Sequence, residues 1–305
     1  MIKYAITAMG LKLFSSCSIM RRLYRFLGNT YGMKKRLHGD IPSYYIDRIK
    51  RILHLCSEYN VIKDGDKILE IGTGWLHWEA LTAKLFFDVE ATLYDVWDNR
   101  QFDALKHYFS QLDYVLDHKI DISDAQRRRV HTIIKQILAS DSLDTLYKQL
   151  GFQYVIENNG TLGKLPDQSF DVIVSGGVLE HVNRDILGTF IHDFYRVLRP
   201  GGYSIHSINI GDHLYAYDKN ASPKEYLRFS DNTWKVLFEN QVQYFNRVQR
   251  SEWFSLFDKA GLKIIEEDSE YSETGSFKVH KTFAHLDKAD INCTLLNISH
   301  QRPTG

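Results

Sequence analysis

A short strand that breaks on two glycines sets the terms for the rest of the chain. Lys67-Ile68-Leu69-Glu70-Ile71 reads as a strand and Gly72-Thr73-Gly74 ends it. Trp75 to Leu85 resumes a helical period, and Val89 to Tyr94 is a second strand ending at Asp95. Such a strand–helix–strand unit makes its strands parallel neighbours joined by a right-handed crossover. The alternation then continues. Phe152–Ile156 and Phe170–Ser175 are strands, the latter apolar enough to be central. Asp185 to Leu198 is a helix stopped by Pro200-Gly201-Gly202, and Tyr203–Ile210 is a fifth strand. The helix Ser251–Ala260 precedes a sixth strand, Leu262–Glu266, and Cys293–Ile298 is a seventh. The pattern predicts an α/β fold with a doubly wound, mostly parallel, seven-stranded sheet.

Additions surround that frame. Residues 1–60 read as N-terminal helices, including Pro42 to Tyr59, and 61–305 as the main domain. Between the second and third strands, residues 96–150 carry three helical stretches, too long for an ordinary connection and therefore an inserted helical subdomain. Residues 211–250, aromatic and irregular, read as a lid over an acceptor site. Lysine plus arginine balance aspartate plus glutamate, 38 against 38, which disfavours a nucleic-acid partner. Cys17, Cys56 and Cys293 form no metal or disulfide pattern, the scattered His77, His107, His118 and His131 form no zinc set, and no metal is expected.

In a sheet of this kind ligands bind beyond the carboxyl ends of the strands. The glycines after the first strand let a ligand approach the backbone, and a carboxylate at Asp95 can accept both hydroxyls of a ribose. A dinucleotide fingerprint requires a small residue where His77 stands, so pyrophosphate binding at this turn is disfavoured. Three further segments follow in order: Leu165-Pro166-Asp167-Gln168-Ser169-Phe170-Asp171-Val172-Ile173-Val174-Ser175, then Val178-Leu179-Glu180-His181-Val182, then Arg196-Val197-Leu198-Arg199-Pro200-Gly201-Gly202. Together with Leu69 to Gly74 they closely resemble the Rossmann-like class I S-adenosylmethionine-dependent methyltransferases, over roughly residues 61–210. The resemblance implies S-adenosylmethionine as cofactor. It places Glu70, Gly72, Thr73 and Gly74 at the methionine end, Asp95 at the ribose, Asn158 or Asn159 at the adenine and Ser175 beside the sulfonium.

Methyl transfer to a hydroxyl needs an aligned nucleophile and a group to take its proton. His181 follows the fourth strand and Asp212-His213 the fifth, so these three are the catalytic candidates; His206, inside a strand, reads as a core histidine. In the lid, Arg228 and Arg247 suit a carboxylate or phosphate and Tyr217 a sugar or ring face. The remaining lid aromatics read equally well as its own small core. A basic N-terminal helix, the helical insertion, and Tyr226-Leu227-Arg228-Phe229-Ser230 with Asn246-Arg247 resemble, more loosely, methyltransferases of bacterial surface-glycan synthesis. The expected activity is therefore O-methylation of a small-molecule or saccharide acceptor. An N- or C-methyltransferase and a non-catalytic cofactor-binding partner protein stand as alternatives.

No apolar run reaches the roughly 20 residues a spanning helix needs, and a cytoplasmic protein is expected. From Ile2 to Leu27 apolar residues recur at helical spacing among Lys3, Lys12, Arg21, Arg22 and Arg25, with Lys34, Lys35 and Arg36 beyond. Residues 1–36 can pack on the main domain or on a second subunit of a homodimer, or lie peripherally on the inner face of an anionic membrane.

Overall fold

The computed structural model describes residues 2–274 and 277–304. In chain order the elements are α1 (Ile2–Ser15), α2 (Ser18–His38), α3 (Ser43–Tyr59), β1 (Lys67–Ile71), α4 (Trp78–Phe86), β2 (Glu90–Asp95), α5 (Phe102–Lys119), α6 (Asp124–Ala139), α7 (Leu143–Leu150), β3 (Phe152–Ile156), β4 (Phe170–Gly176), α8 (Arg184–Val197), β5 (Leu198–Asn209), α9 (Asp231–Leu237), α10 (Arg250–Lys259), β6 (Lys263–Tyr271), α11 (Lys288–Asn292) and β7 (Cys293–Gln301). The strands form a seven-stranded sheet in the order β3-β2-β1-β4-β5-β7-β6. β1 pairs in parallel with β2 and β4, and β2 with β3. β7 runs against its neighbours. Ile210 N donates to Thr294 O while Arg302 N donates to Gly202 O, and Ser272 N donates to Asn292 O while Thr294 Oγ1 donates to Glu270 O. The doubly wound, mostly parallel sheet is the one expected, and its order reverses between β1 and β4, the switch point at which such sheets bind ligands.

Several boundaries differ from the sequence expectation, β6 running on to Tyr271 and β7 to Gln301, and two of the differences have a local reason. α4 starts at Trp78 rather than Trp75, because Gly74 and His77 take left-handed φ values of 59° and 51° and hold the intervening residues in a turn. β5 starts at Leu198, so Pro200-Gly201-Gly202 lies inside the strand rather than before it. The ladder tolerates this because Gly201 N donates to Arg302 O and Arg302 N returns a bond to Gly202 O. The N-terminal apolar pattern also divides into two helices, α1 and α2.

The chain folds as two units. One holds residues 29–176 and 193–205 with the described residues from 301; the other holds 2–28, 177–192 and 206–300. In the first, every residue of α4 is buried, and the helix contacts β1, β4, α3 and α6. A helix covered on all sides must be apolar or have its charges met. Lys84 meets Asp88 at 2.8 Å, and Glu79 meets Arg48 of α3 at 2.5 Å.

The second unit has its own core, in which Tyr4, Ala8 and Leu11 of α1 pack with Leu214, Tyr226, Trp234, Phe238 and Phe245. Most aromatics of the 211–250 segment are thus a core. Buried polar groups fasten the same segment. Asp212 Oδ2 accepts from Tyr4 Oη at 2.6 Å and Tyr226 N at 2.9 Å. Lys224, fully buried, donates to Ile210 O, Tyr226 Oη and Gln249 Oε1.

Candidate functional site

β1 delivers the chain into Gly72 and Gly74, both left-handed, at φ 64° and 59°, where a Cβ would add strain. Gly72 N and Thr73 N both donate to Tyr94 O of β2, at 2.8 and 3.1 Å. Gly74 N donates to Asp95 Oδ2 at 2.8 Å, and Val96 N to Asp95 Oδ1 at 2.7 Å. Asp95 therefore pins the turn, and Oδ2, with one backbone partner, keeps room for a second donor. Burial raises its pKa, against the pull of the Gly74, Val96 and Trp97 N–H groups.

Glu70, at the penultimate position of β1, turns its carboxylate to the start of α4. Oε2 accepts from Ala80 N at 3.1 Å and Oε1 from Glu79 N at 3.4 Å. Burial and the adjacent Glu79 push this carboxyl well above the ordinary carboxylate range. Glu79 in turn meets Arg48, and a methyl group built on Gly176, at the end of β4, would collide with both side chains. A cation therefore stands at the carboxyl end of β4. Arg48 and Glu79 escaped sequence reasoning, because an ion pair between separate helices leaves no spacing to read.

His77, the bulky residue expected to disfavour a dinucleotide, also has a structural part. Its Nδ1 is 2.7 Å from Thr73 Oγ1 and its Nε2 is 2.7 Å from Tyr147 Oη, so one buried imidazole ties α7 to the glycine turn. Burial, reinforced by Arg100 and opposed by Asp98, drives its pKa down to about 3. Beyond β3, Asn158 Nδ2 donates to Val96 O at 2.7 Å, whereas Asn159 Oδ1 accepts from both Thr161 N and Thr161 Oγ1 at 3.0 Å. The Asn159 oxygen is thus engaged in its own turn. Ser175 is buried near the end of β4.

In the other unit, His181 closes a one-turn helix, Leu179–His181, and His213 opens another, His213–Ala216. Their rings lie 5.1 Å apart. His181 Nδ1 is 2.6 Å from Tyr244 O. A carbonyl only accepts, so Nδ1 carries the hydrogen and neutral His181 keeps its lone pair on Nε2. His213 packs against the Phe245 ring at 4.6 Å, and its Nε2 has no hydrogen-bond partner among the described residues. Burial and the neighbouring His181 lower the His213 pKa to about 4, against the pull of the Asn209 backbone.

The other candidates divide. Asp212 does not orient His213: its oxygens are taken by Leu214 N, Tyr226 N and Tyr4 Oη. Burial raises its pKa to about 6. Arg228 pairs with the buried Glu225, and Tyr217, exposed, accepts from Gln243 Nε2. Arg247 is the buried one. It pairs with Asp231, takes a left-handed φ of 56°, and leaves Nη1 without a partner among the described residues. It borders a cavity of about 530 Å³ shared with Trp234, Phe245, Phe283 and Tyr244. His206 is buried beside Phe257, as a core histidine would be.

A family model described as a methyltransferase domain matches residues 40–267. No curated protein sequence matches the chain. Among solved structures it is similar to an S-adenosylmethionine-dependent methyltransferase from Methanosarcina mazei, at 18% identity over 83% of this chain and 98% of that one, with a TM-score of 0.43. It is also similar to phosphoethanolamine N-methyltransferase 2 of Haemonchus contortus, solved with S-adenosyl-L-methionine. There the identity is 16% over 83% of this chain and 52% of that one, with a TM-score of 0.46.

The His77 network carries a pH signature. Unfolded, this imidazole takes a proton near pH 6.5; folded, it resists until about 3. Between those values the unfolded state binds the extra proton, so stability is lost as pH falls through that window. Urea unfolding from pH 7 to pH 5 should show a slope shallower in His77→Gln than in the parent by up to about 1.4 kcal/mol per pH unit. Identical slopes would mean that His77 titrates normally in the fold.

Proposed function

The chain belongs to the methyltransferase-domain family and is an S-adenosylmethionine-dependent methyltransferase, and we propose that it methylates a hydroxyl of a saccharide or small molecule bearing an anionic group. The observation that carries this reading is the His181–His213 pair. Two imidazoles 5.1 Å apart, each with an uncommitted Nε2, are suited to take the proton of an attacking hydroxyl.

S-adenosylmethionine supplies a methyl group already activated by its sulfonium. The residues present fit that cofactor, since the turn is open at Gly72 and Gly74 and Asp95 keeps an acceptor for a ribose hydroxyl. Thr73 belongs to the same fastened turn. Arg48, beside Gly176, offers the charge that an amino-acid carboxylate needs, while Glu70 holds the start of α4 near that pair. Asn158 and Asn159 after β3, and Ser175 in β4, are assigned to the adenine and sulfonium ends.

On the acceptor side both arginines pair with a carboxylate, and Arg247 is favoured over Arg228 because it borders the cavity and its Nη1 has no partner among the described residues. Aromatic rings at Trp234, Phe245 and Phe283 with the unpartnered Arg247 Nη1 suit a sugar carrying a carboxylate or phosphate. This agrees with a place in surface-glycan synthesis. Asp212 is assigned a structural role. The test is product analysis after incubation with S-adenosylmethionine and a panel of anionic saccharides. A methyl ether should form, and kcat should fall about 10²- to 10⁴-fold in His181→Ala,His213→Ala. An N- or C-methylated product, or full activity in that double variant, would favour the other acceptor classes.

We also infer that the N-terminal helices touch an anionic membrane surface from the cytoplasmic side. No helix among the described residues is long and apolar enough to cross a membrane. Yet Ile2, Ile6, Met9 and Leu13 are 79, 58, 60 and 63% exposed at helical spacing on α1, and Ile19 and Phe26 of α2 are 73 and 67% exposed among Arg21, Arg22 and Arg25. That combination suits an interfacial helix. Vesicles containing phosphatidylserine should sediment the protein, vesicles of phosphatidylcholine alone should do so much less, and Ile6→Glu,Phe26→Glu should abolish the difference. Equal behaviour with both vesicles would end this reading.

A further inference from the structure

Glu180, His181 and His213 come together in space although no metal-ligand spacing links them in the sequence. One ligand atom from each lies within 4.8 Å of the other two. We propose that these three side chains form a divalent-cation site of the two-histidine, one-carboxylate type, which rests on the reading of this region as the acceptor side; with an ion bound the Nε2 atoms are its ligands, and the ion rather than a free imidazole would activate the hydroxyl.

Each ligand is prepared for the task. Metal-bound histidines characteristically donate their other ring N–H to a carbonyl or carboxylate, which fixes the tautomer. His181 does so, Nδ1 to Tyr244 O, and that bond directs the Nε2 lone pair away from the carbonyl. His213 holds Nε2 buried and without a partner among the described residues, a state that is costly unless a ligand satisfies it. Glu180 is buried, and its Oε1 accepts from Asn209 N at 3.1 Å, which orients the carboxylate.

The scaffold around them is fixed rather than loose. Asn246 clamps the Leu179–His181 turn: its N donates to Glu180 O at 2.8 Å, and its Nδ2 donates to Leu179 O at 2.8 Å and Val182 O at 3.1 Å. Phe245, the preceding residue, packs on His213. Residues 244–246 thus hold all three ligands while bordering the cavity that carries Arg247.

Ligands about 2.1 Å from a shared ion stand about 3 Å apart when adjacent and about 4.2 Å when opposite. The three ligand atoms, all within 4.8 Å of one another, are near that range. Two imidazoles with one carboxylate favour a first-row divalent transition ion over magnesium or calcium, which prefer all-oxygen sets. Three protein ligands leave positions open, and His181 is exposed, so exchange with solvent and approach of an acceptor oxygen are both open. A cation there would lower the pKa of an acceptor hydroxyl by polarising its oxygen.

The test uses the full, tag-free chain stripped with chelator and titrated with Co²⁺, followed by visible absorption and calorimetry. One Co²⁺ per chain should bind, with the bands of nitrogen and oxygen ligation, and Zn²⁺ should displace it. His181→Ala and His213→Ala should each abolish the bands, and Glu180→Gln should weaken binding at least about tenfold. All three variants should bind S-adenosylhomocysteine as the parent does, which separates loss of the site from loss of the fold. Failure of the parent to bind Co²⁺ or Zn²⁺, or retained binding in His181→Ala,His213→Ala, would overturn the proposal. Intact Co²⁺ binding without hydroxyl methylation would uphold the site while removing the O-methyl reading.

Discussion

The left-handed turn after β1 is the constraint on which the proposed cofactor site depends. Two glycines supply φ values that other residues adopt only with strain, and β2 holds them there through the Tyr94 carbonyl and the Asp95 carboxylate. Since β1 and β2 are in parallel register from Lys67–Glu90 to Ile71–Tyr94, the pairing that builds the sheet also sets the turn. The same turn launches α4, whose first backbone N–H groups face the Glu70 carboxylate. His77 closes the arrangement by bonding Thr73 on one side and Tyr147 on the other. Sheet, helix and inserted α7 therefore meet at a few fixed backbone atoms, and the ligand-facing groups inherit that rigidity.

The strands and the glycine turn were legible in the sequence because their determinants are local. Periodicity, two glycines and a carboxylate at a strand end are enough to place β1, α4 and β2 within a few residues. What escaped depends on partners far apart in the chain. His77 and Tyr147 are 70 residues apart, and His181 and Tyr244 are 63 apart. No spacing rule connects such pairs; only the fold does. Arg48 was hidden for the same reason. Asp212 shows the reverse error, since its position beside His213 suggested a catalytic pairing, while in three dimensions its carboxylate serves Tyr4 of α1. The lid aromatics were readable as either core or binding surface, and burial divides them: Tyr226 and Trp234 are core, with Trp234 and Phe245 also bordering the cavity.

The region proposed as the acceptor side is held by a few neighbouring residues. Residues 244–247 hold His181 through a carbonyl, His213 through a ring, the Leu179–His181 turn through Asn246, and the cavity wall through Arg247. A strap with so many duties has little conformational freedom, and the left-handed Arg247 is where the strain of the arrangement collects. The strap sets which nitrogen His181 presents.

The central claim is that Asp95 and the glycine turn form a working S-adenosylmethionine site. Calorimetric titration with S-adenosylhomocysteine, on the parent and on Asp95→Ala, tests it most directly. Binding by the parent, weakened on the order of 100-fold by the loss of charged hydrogen bonds in the variant, is the predicted result. No binding by the parent, or equal binding by both, would contradict it.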